Sequence, residues 1–123
     1  MPWDLKSDRP IYAQLIEHME LKICSGVYPP GSKLPSVRDL AQEASVNPNT
    51  IQRALAKLEE DGIVYTNRTS GRFITEDANM INQVKSKLAQ EQVQEFLEKM
   101  KRLGFEKKDI LSIISSMLEE MKK

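Results

Sequence analysis

Apolar side chains recur at helical spacing along most of this chain. The first stripe begins after Pro10 and follows the positions i, i+3, i+4, i+7 and i+11 of an amphipathic helix. Gly26 ends the pattern, and the prolines just after it cannot continue a helix. A first helix is therefore predicted between Pro10 and Gly26. Its inward-facing residues are Tyr12, Leu15, Ile16, Met19 and Ile23.

Two more helices follow, and each has a good capping residue at its start. Ser36 forms a capping box with Asp39 and opens a short helix. Asn47 is a favourable N-cap, and Pro48 fits the first position of the next helix, which runs to about Asp61. The inward face of this third helix is formed by Ile51, Ala54, Leu55 and Leu58.

Two short β-type runs come next, at residues 63–66 and 72–75, and the residues between them have the composition of a hairpin tip. Lys33 and Leu34 form a brief extended piece, because Pro35 disfavours helical geometry before it. The order of helix, helix-turn-helix and hairpin is that of a winged helix.

The remaining apolar stripes predict a tail of two helices. The first runs for roughly 20 residues or more and ends at Gly104, and its stripe shifts between Leu88 and Val93. The second carries Ile110, Ile113, Ile114, Met117, Leu118 and Met121. The predicted fold class is mainly α with a small β-hairpin, a winged helix-turn-helix plus a C-terminal two-helix dimerisation tail. We place the winged helix-turn-helix domain at residues 1–76 and the tail at 77–123.

The charge balance is the main observation against a nucleic-acid partner. Lysine plus arginine and aspartate plus glutamate number 18 each, and both parts of the chain, 1–75 and 76–123, are neutral. A nucleic-acid binder often has a basic surplus, so a DNA interface must rest on where the charges lie. The apolar runs are too short for a membrane span, and a single cysteine favours a reducing cytoplasm.

The third helix presents a polar face opposite its apolar one. Asn49, Gln52, Arg53 and Ala56 follow i, i+3, i+4 and i+7. Amide side chains match adenine in the major groove, and arginine reaches guanine or a phosphate. A merely solvated face explains this helix alone equally well.

Basic residues on the neighbouring elements favour DNA. Arg38 lies in the first turn of the preceding helix, near amide donors that can hold a phosphate, and Arg68 and Arg72 bracket the hairpin tip. Lys33 and Lys57 can add phosphate contacts. The DNA-binding hypothesis requires that four acidic side chains face away from the DNA: Glu43, Glu59, Glu60 and Asp61. An adaptor that binds another protein is the competing hypothesis, and the neutral charge favours it.

Several spaced segments together resemble the GntR family of bacterial repressors. They are residues 10–15 (PIYAQL), 26–41 (GVYPPGSKLPSVRDLA), 46–51 (VNPNTI) and 54–64 (ALAKLEEDGIV). The resemblance covers roughly residues 10–75, and the short tail with the Asn-Pro-Asn-Thr helix start is similar to the YtrA-like subfamily. Other branches carry a large ligand-binding domain, for which this length leaves no room.

The resemblance implies a dimeric repressor on a pseudo-palindromic operator, often near transporter genes. Two positions depart from the family wing: Thr69 replaces a glycine, and Arg72 stands where a small residue is common. The DNA-binding residues expected from the charges and the resemblance are Lys33, Ser36, Arg38, Asn47, Asn49, Thr50, Gln52, Arg53, Arg68, Gly71 and Arg72.

The tail is expected to form a homodimer. Its last helix carries more large apolar residues than one small domain can cover, and burying each is worth roughly 1.5–3 kcal/mol. The alternative is that the tail folds back on the first helix of the same chain. The candidate interface residues are Phe96, Leu97, Met100, Ile113, Met117 and Leu118.

No constellation of catalytic or metal-binding residues stands out. His18 is the only histidine and lacks partners at metal-ligand spacing, so a structural or surface role is expected. Cys24 has no basic cluster nearby and is expected to be unreactive. We therefore expect no enzyme activity, no cofactor and no metal, and the sequence leaves open whether a small-molecule effector exists.

Overall fold

The computed structural model describes residues 3–122 and contains five helices and one β-hairpin. This confirms the predicted fold class, and the elements begin and end close to where the sequence placed them. Their bounds are α1 Ile11–Cys24, α2 Val37–Ala44, α3 Pro48–Glu60, β1 Val64–Asn67, β2 Gly71–Ile74, α4 Ala78–Arg102 and α5 Lys107–Met121.

The starts of α2 and α3 are fixed by the capping residues that the sequence indicated. The Ser36 hydroxyl accepts a hydrogen bond from the N–H of Asp39 at 3.1 Å. The Asn47 side-chain oxygen accepts from the N–H of Asn49 at 2.8 Å, and Pro48 occupies the first turn. Each cap satisfies one of the amide groups that a helix start leaves without a partner. The two helices of the helix-turn-helix therefore begin at defined residues.

The turn between α2 and α3 uses a left-handed residue that is not glycine. Ser45 has φ 59° and ψ 47°, and its N–H donates back to the carbonyl of Gln42 at 3.3 Å. The N–H of Val46 also donates to Ala41, at 3.0 Å. These bonds satisfy carbonyls at the end of α2 while the chain reverses toward α3.

A single core lies beneath the first three helices and the hairpin. Every residue that the stripe on α3 placed inward is buried, and so are Leu15, Met19 and Ile23 of α1. Tyr12 and Ile16 are half-buried and pack against the same cluster. The largest fully buried apolar residues are Leu15, Met19, Leu40, Ile51, Leu55, Leu58, Ile63, Ile74 and Val64.

The hairpin gains a third, short edge from the extended piece before α2. In the hairpin itself Val64 pairs with Ile74 and Tyr65 with Phe73. Lys33 forms a bridge with Phe73, the N–H of Leu34 donates to the carbonyl of Arg72 at 2.8 Å, and the N–H of Ile74 donates to that of Ser32 at 2.9 Å. The predicted extended segment thus lies against β2.

The N-terminal segment is held by a buried glutamine, which the apolar pattern did not reveal. The Gln14 side chain accepts from the N–H of Lys6 at 2.6 Å and donates to the carbonyls of Lys6 at 2.7 Å and Arg9 at 3.0 Å. Only 2% of its surface is exposed. These three bonds satisfy the buried amide and fix the segment that precedes α1.

The chain forms two compact units, Met1–Ser86 and Lys87–Lys123. The proposed domain boundary after residue 76 differs, because Met80, Ile81 and Val84 pack on the core of the first unit. The division into domains at 76 and 77 stays a prediction. No helix within residues 3–122 is long and apolar enough to cross a membrane.

Candidate nucleic-acid interface

The surface of α3 is divided into a buried face and a polar face. Asn49, Gln52, Arg53 and Ala56 are all exposed, whereas Thr50 beside them is half-buried. The helix is anchored to α1, α2 and β1 through its other face. The exposed side chains therefore project from a rigid helix, as a helix that reads base edges requires.

The capping residues keep hydrogen-bond donors that a phosphate can use. Ser36 and Asn47 each use an oxygen as the acceptor in their cap, so the hydroxyl hydrogen and the amide hydrogens stay available to donate. Arg38 lies in the first turn of α2 and is exposed. The start of each helix thus offers donors to an anion, where the helix dipole also favours negative charge.

The two cations on the outer part of α3 are held differently. The guanidinium carbon of Arg53 lies 4.8 Å from the centre of the Tyr12 ring. The Nζ of Lys57 lies 3.4 Å from a carboxylate oxygen of Asp61, and this hydrogen bond is the main cause of a raised pKa at Lys57. Lys57 is thus paired with an acid, whereas Arg53 is exposed and lies against a neutral ring.

Acidic side chains near the helix-turn-helix are engaged by other groups. Glu59 accepts a hydrogen bond from the Thr66 hydroxyl of β1. Glu43 accepts from the indole N–H of Trp3 and from Lys22, both at 3.3 Å. Burial opposes the charge of Glu43, but the hydrogen bonds from Trp3 and Lys22 and the charge of Lys22 outweigh it and lower its pKa. These contacts direct both carboxylates to defined neighbours.

The tip of the hairpin is shaped by Asn67 rather than by a second glycine. Its side-chain oxygen accepts from the N–H of Thr69 at 3.1 Å and from the Thr69 hydroxyl at 3.0 Å. Thr69 has a negative φ, unlike Gly71, so the position does not demand glycine. An Asx-type turn thus accommodates the departure from the family wing.

Gly71 and Lys33 lie in contact at the base of the tip. Gly71 has φ 107°, and a Cβ built there would lie 3.1 Å from Cε of Lys33. Both the backbone angle and this close approach favour glycine. The absence of a side chain lets the Lys33 stem lie across the strand, with its charge beside the hairpin tip.

The two arginines of the hairpin differ in exposure. Arg68 is exposed at the tip. Arg72 is half-buried, and its Nε is buried without a hydrogen-bond partner among the described residues. Arg72 also faces the same side of the hairpin as Thr66, its pairing partner. Of the two, Arg68 is the more accessible to a phosphate.

The histidine and the cysteine have structural surroundings. The His18 ring stacks on Trp3 at a centroid distance of 5.3 Å. Burial, followed by the charge of Glu20, raises the pKa of Cys24, which disfavours the reactive thiolate. No cluster of three or more metal-ligand side chains occurs in the part of the chain that the structure describes.

Residues 11–74 match the family described as bacterial regulatory proteins, gntR family, which is more than half of the chain. The chain belongs to the GntR family. A Bacillus subtilis relative, the uncharacterized regulator YhcF, is 40% identical over 93% of this chain and 94% of its own length. The B. subtilis transcriptional repressor YtrA is 45% identical over 61% of this chain and 58% of its own length.

Two solved structures agree with this assignment. A GntR regulator from Listeria monocytogenes has a TM-score of 0.83 at 39% identity, over 91% of this chain and 98% of its own. The DNA-binding domain of AraR in complex with operator ORX1 has a TM-score of 0.53 at 29% identity, over 61% and 92%. This GntR protein is therefore a transcriptional regulator that binds DNA, and the resemblance to YtrA-like proteins is confirmed.

Proposed function

We propose that this GntR protein is a homodimeric repressor that reads a pseudo-palindromic operator with α3. The observation that carries the proposal is the exposed polar face of α3 on a helix whose opposite face is entirely buried. The side-chain amides of Asn49 and Gln52 each offer a donor and an acceptor, which complement the N7 acceptor and the N6 donor of adenine in the major groove.

The remaining candidate residues supply contacts that position the protein on the duplex. The donors of Ser36, Arg38 and Asn47 can bind phosphates of one DNA strand. Lys33 and Arg68 can bind phosphates near the hairpin. Thr50 and Arg72 are half-buried, so we expect them to contribute less to DNA binding than the exposed residues. In an operator complex, contacts to Gly71 would come through its backbone.

The tail supports the proposal of a dimer because its apolar side chains are uncovered in one chain. Within residues 87–122 the one buried residue is Ile110. Phe96, Met117 and Leu118 are exposed, and Leu97, Met100 and Ile113 are half-buried. An apolar surface of this extent is typical of a protein–protein interface, and a second copy of the tail can cover it with two-fold symmetry.

A two-fold dimer predicts the form of the operator. Two recognition helices related by symmetry read two inverted half-sites, separated by one helical turn of about 10 base pairs or a multiple of it. Binding at a promoter would exclude polymerase and repress transcription in the cytoplasm. By the resemblance to its subfamily, we propose promoters of transporter genes as the first places to search.

The test measures fluorescence anisotropy of labelled duplexes selected from a random pool by the wild-type protein. Gln52→Ala is expected to weaken binding about 5- to 150-fold and to relax the preference at one base pair, because one bidentate contact is lost. Gln83→Ala is the matched control, since Gln83 is an exposed glutamine on α4. It should leave affinity and preference unchanged.

Two results would contradict sequence reading by α3. One is a selection that yields no preferred sequence with folded wild-type protein. The other is an equal loss of affinity for Gln52→Ala and Gln83→Ala, which would remove α3 as the reading helix. A preferred sequence without inverted repeats would retain DNA reading but overturn the symmetric dimer.

A further inference from the structure

The aromatic ring of Tyr12 lies beneath the guanidinium of Arg53, and this contact joins α1 to the polar face of α3. The distance from the guanidinium carbon to the ring centre is 4.8 Å, within the range of a cation–π contact. We propose that Tyr12 is a positioning residue, which holds Arg53 in the orientation used on DNA. The inference rests on the proposed function of α3.

The two side chains differ in how firmly they are held. Tyr12 is half-buried and packs against the core, so its ring has a fixed place. Arg53 is exposed, and within residues 3–122 it forms no ion pair with a carboxylate. A long exposed arginine loses much rotamer freedom when it docks. Because Arg53 packs on the Tyr12 ring in the free protein, it loses less rotamer freedom when it binds DNA.

Lys57 differs from Arg53 in that an acidic side chain, not an aromatic ring, holds it. Lys57 lies one turn further along α3 and is held by Asp61 through an ion pair of 3.4 Å. That pairing offsets the charge which Lys57 could offer to a phosphate. A neutral ring orients Arg53 without neutralising it, so the full positive charge stays available for a base edge or a phosphate.

The contact predicts a specific pattern among three variants. Tyr12→Phe keeps the ring and should bind operator DNA within about twofold of wild type. Tyr12→Leu keeps an apolar side chain but removes the ring, and we expect it to weaken binding about two- to fivefold, as for loss of an exposed cation–π contact. Arg53→Ala should weaken binding more than Tyr12→Leu, because it removes the DNA contact itself.

A double-mutant cycle separates positioning from structural support. If Tyr12 acts through Arg53, Tyr12→Leu should have no further effect on DNA affinity in the Arg53→Ala background. A general loss of packing would weaken binding equally in both backgrounds. The NMR shifts of the Arg53 side chain in free protein give a second readout, since the Tyr12 ring current should displace them in wild type and Tyr12→Phe but not in Tyr12→Leu.

The experiment measures dissociation constants of these four variants and wild type on the selected operator duplex, with thermal unfolding of each protein as the check on folding. The inference is supported if Tyr12→Leu weakens binding only when Arg53 is present and Tyr12→Phe binds like wild type. Equal losses in both backgrounds, or tighter binding by Tyr12→Leu, would overturn it while Gln52→Ala still reports on the reading helix. Wild-type protein without sequence preference would overturn the proposed function and the inference together.

Discussion

At the scale of single residues, the charged groups of this GntR protein are arranged by contact rather than by number. The chain is neutral overall, yet Glu43 and Glu59 are bound to neighbours, and Arg38, Arg53 and Arg68 are exposed. The electrostatic part of DNA binding depends on the phosphates that the protein contacts, not on its total charge. A neutral composition is therefore compatible with a local DNA interface.

Glu43 gives a pH dependence whose sign follows from its contacts. Its pKa is lower in the folded protein than in the unfolded chain, so its contribution to stability is complete above the ordinary glutamate pKa of about 4.3. That contribution is lost as the pH falls through the folded value. Between pH 7 and pH 3, the urea midpoint of Glu43→Gln should therefore fall less than that of wild type. The urea midpoint of Glu91→Gln, at an exposed position of α4, should fall with pH as in wild type. The same fall of the midpoint in all three proteins would refute the assignment.

Residue-level contacts were also where sequence reasoning was least complete. Periodicity indicated which residues of α1 and α3 face inward, because it depends only on helical geometry. It could not indicate that Gln14 is buried, since its partners are backbone groups of Lys6 and Arg9 in a segment without periodicity. The same pattern cannot indicate the contact between Tyr12 and Arg53, because it joins residues distant in sequence.

At the scale of elements, the helix-turn-helix depends on strained and capped ends. Caps at Ser36 and Asn47 could be predicted because N-cap chemistry is local. The left-handed conformation of Ser45 could not, since serine rarely adopts it and glycine is the usual choice. At the hairpin, the local sequence indicated a turn, but the Asx contacts of Asn67 emerged from the structure.

Replacing Ser45 tests this strain directly. We expect Ser45→Gly to raise the free energy of unfolding by up to about 1 kcal/mol, because glycine adopts positive φ without a steric penalty. Ser86→Gly, the same substitution inside α4, should instead lower it by roughly 0.3–0.5 kcal/mol. Urea unfolding monitored by circular dichroism measures both. A loss of stability in both variants would show that the turn carries no strain relievable by glycine.

At the scale of the whole molecule, the family match and the uncovered apolar surface lie in different parts of the chain. The family match extends over residues 11–74, whereas the uncovered apolar surface lies in the unit Lys87–Lys123. The sequence indicated both helices of the tail. The number of apolar residues on α5 also indicated a surplus that one small domain cannot cover, but the pattern could not indicate that Ile110 is the buried one.

Two leucines of similar exposure provide a matched test of the dimer. Leu118 on α5 is 54% exposed and Leu21 on α1 is 52% exposed. In a two-fold interface each substitution occurs twice, so Leu118→Glu should raise the dimer dissociation constant by about a hundredfold or more. Leu21→Glu should leave it unchanged. Sedimentation velocity over a concentration series measures both. A monomeric wild type, or a dimer indifferent to Leu118→Glu, would exclude this face of the tail as the interface.

The position of Trp3 has a practical consequence. It is the sole tryptophan in the chain, its ring stacks on His18, and the ammonium of Lys22 lies 4.3 Å from its ring centre. Imidazole and ammonium groups so near an indole alter its emission, so the protein carries a built-in optical probe of its N-terminal segment. Release of that segment from α1 and α2 can be followed in real time, without attaching a dye.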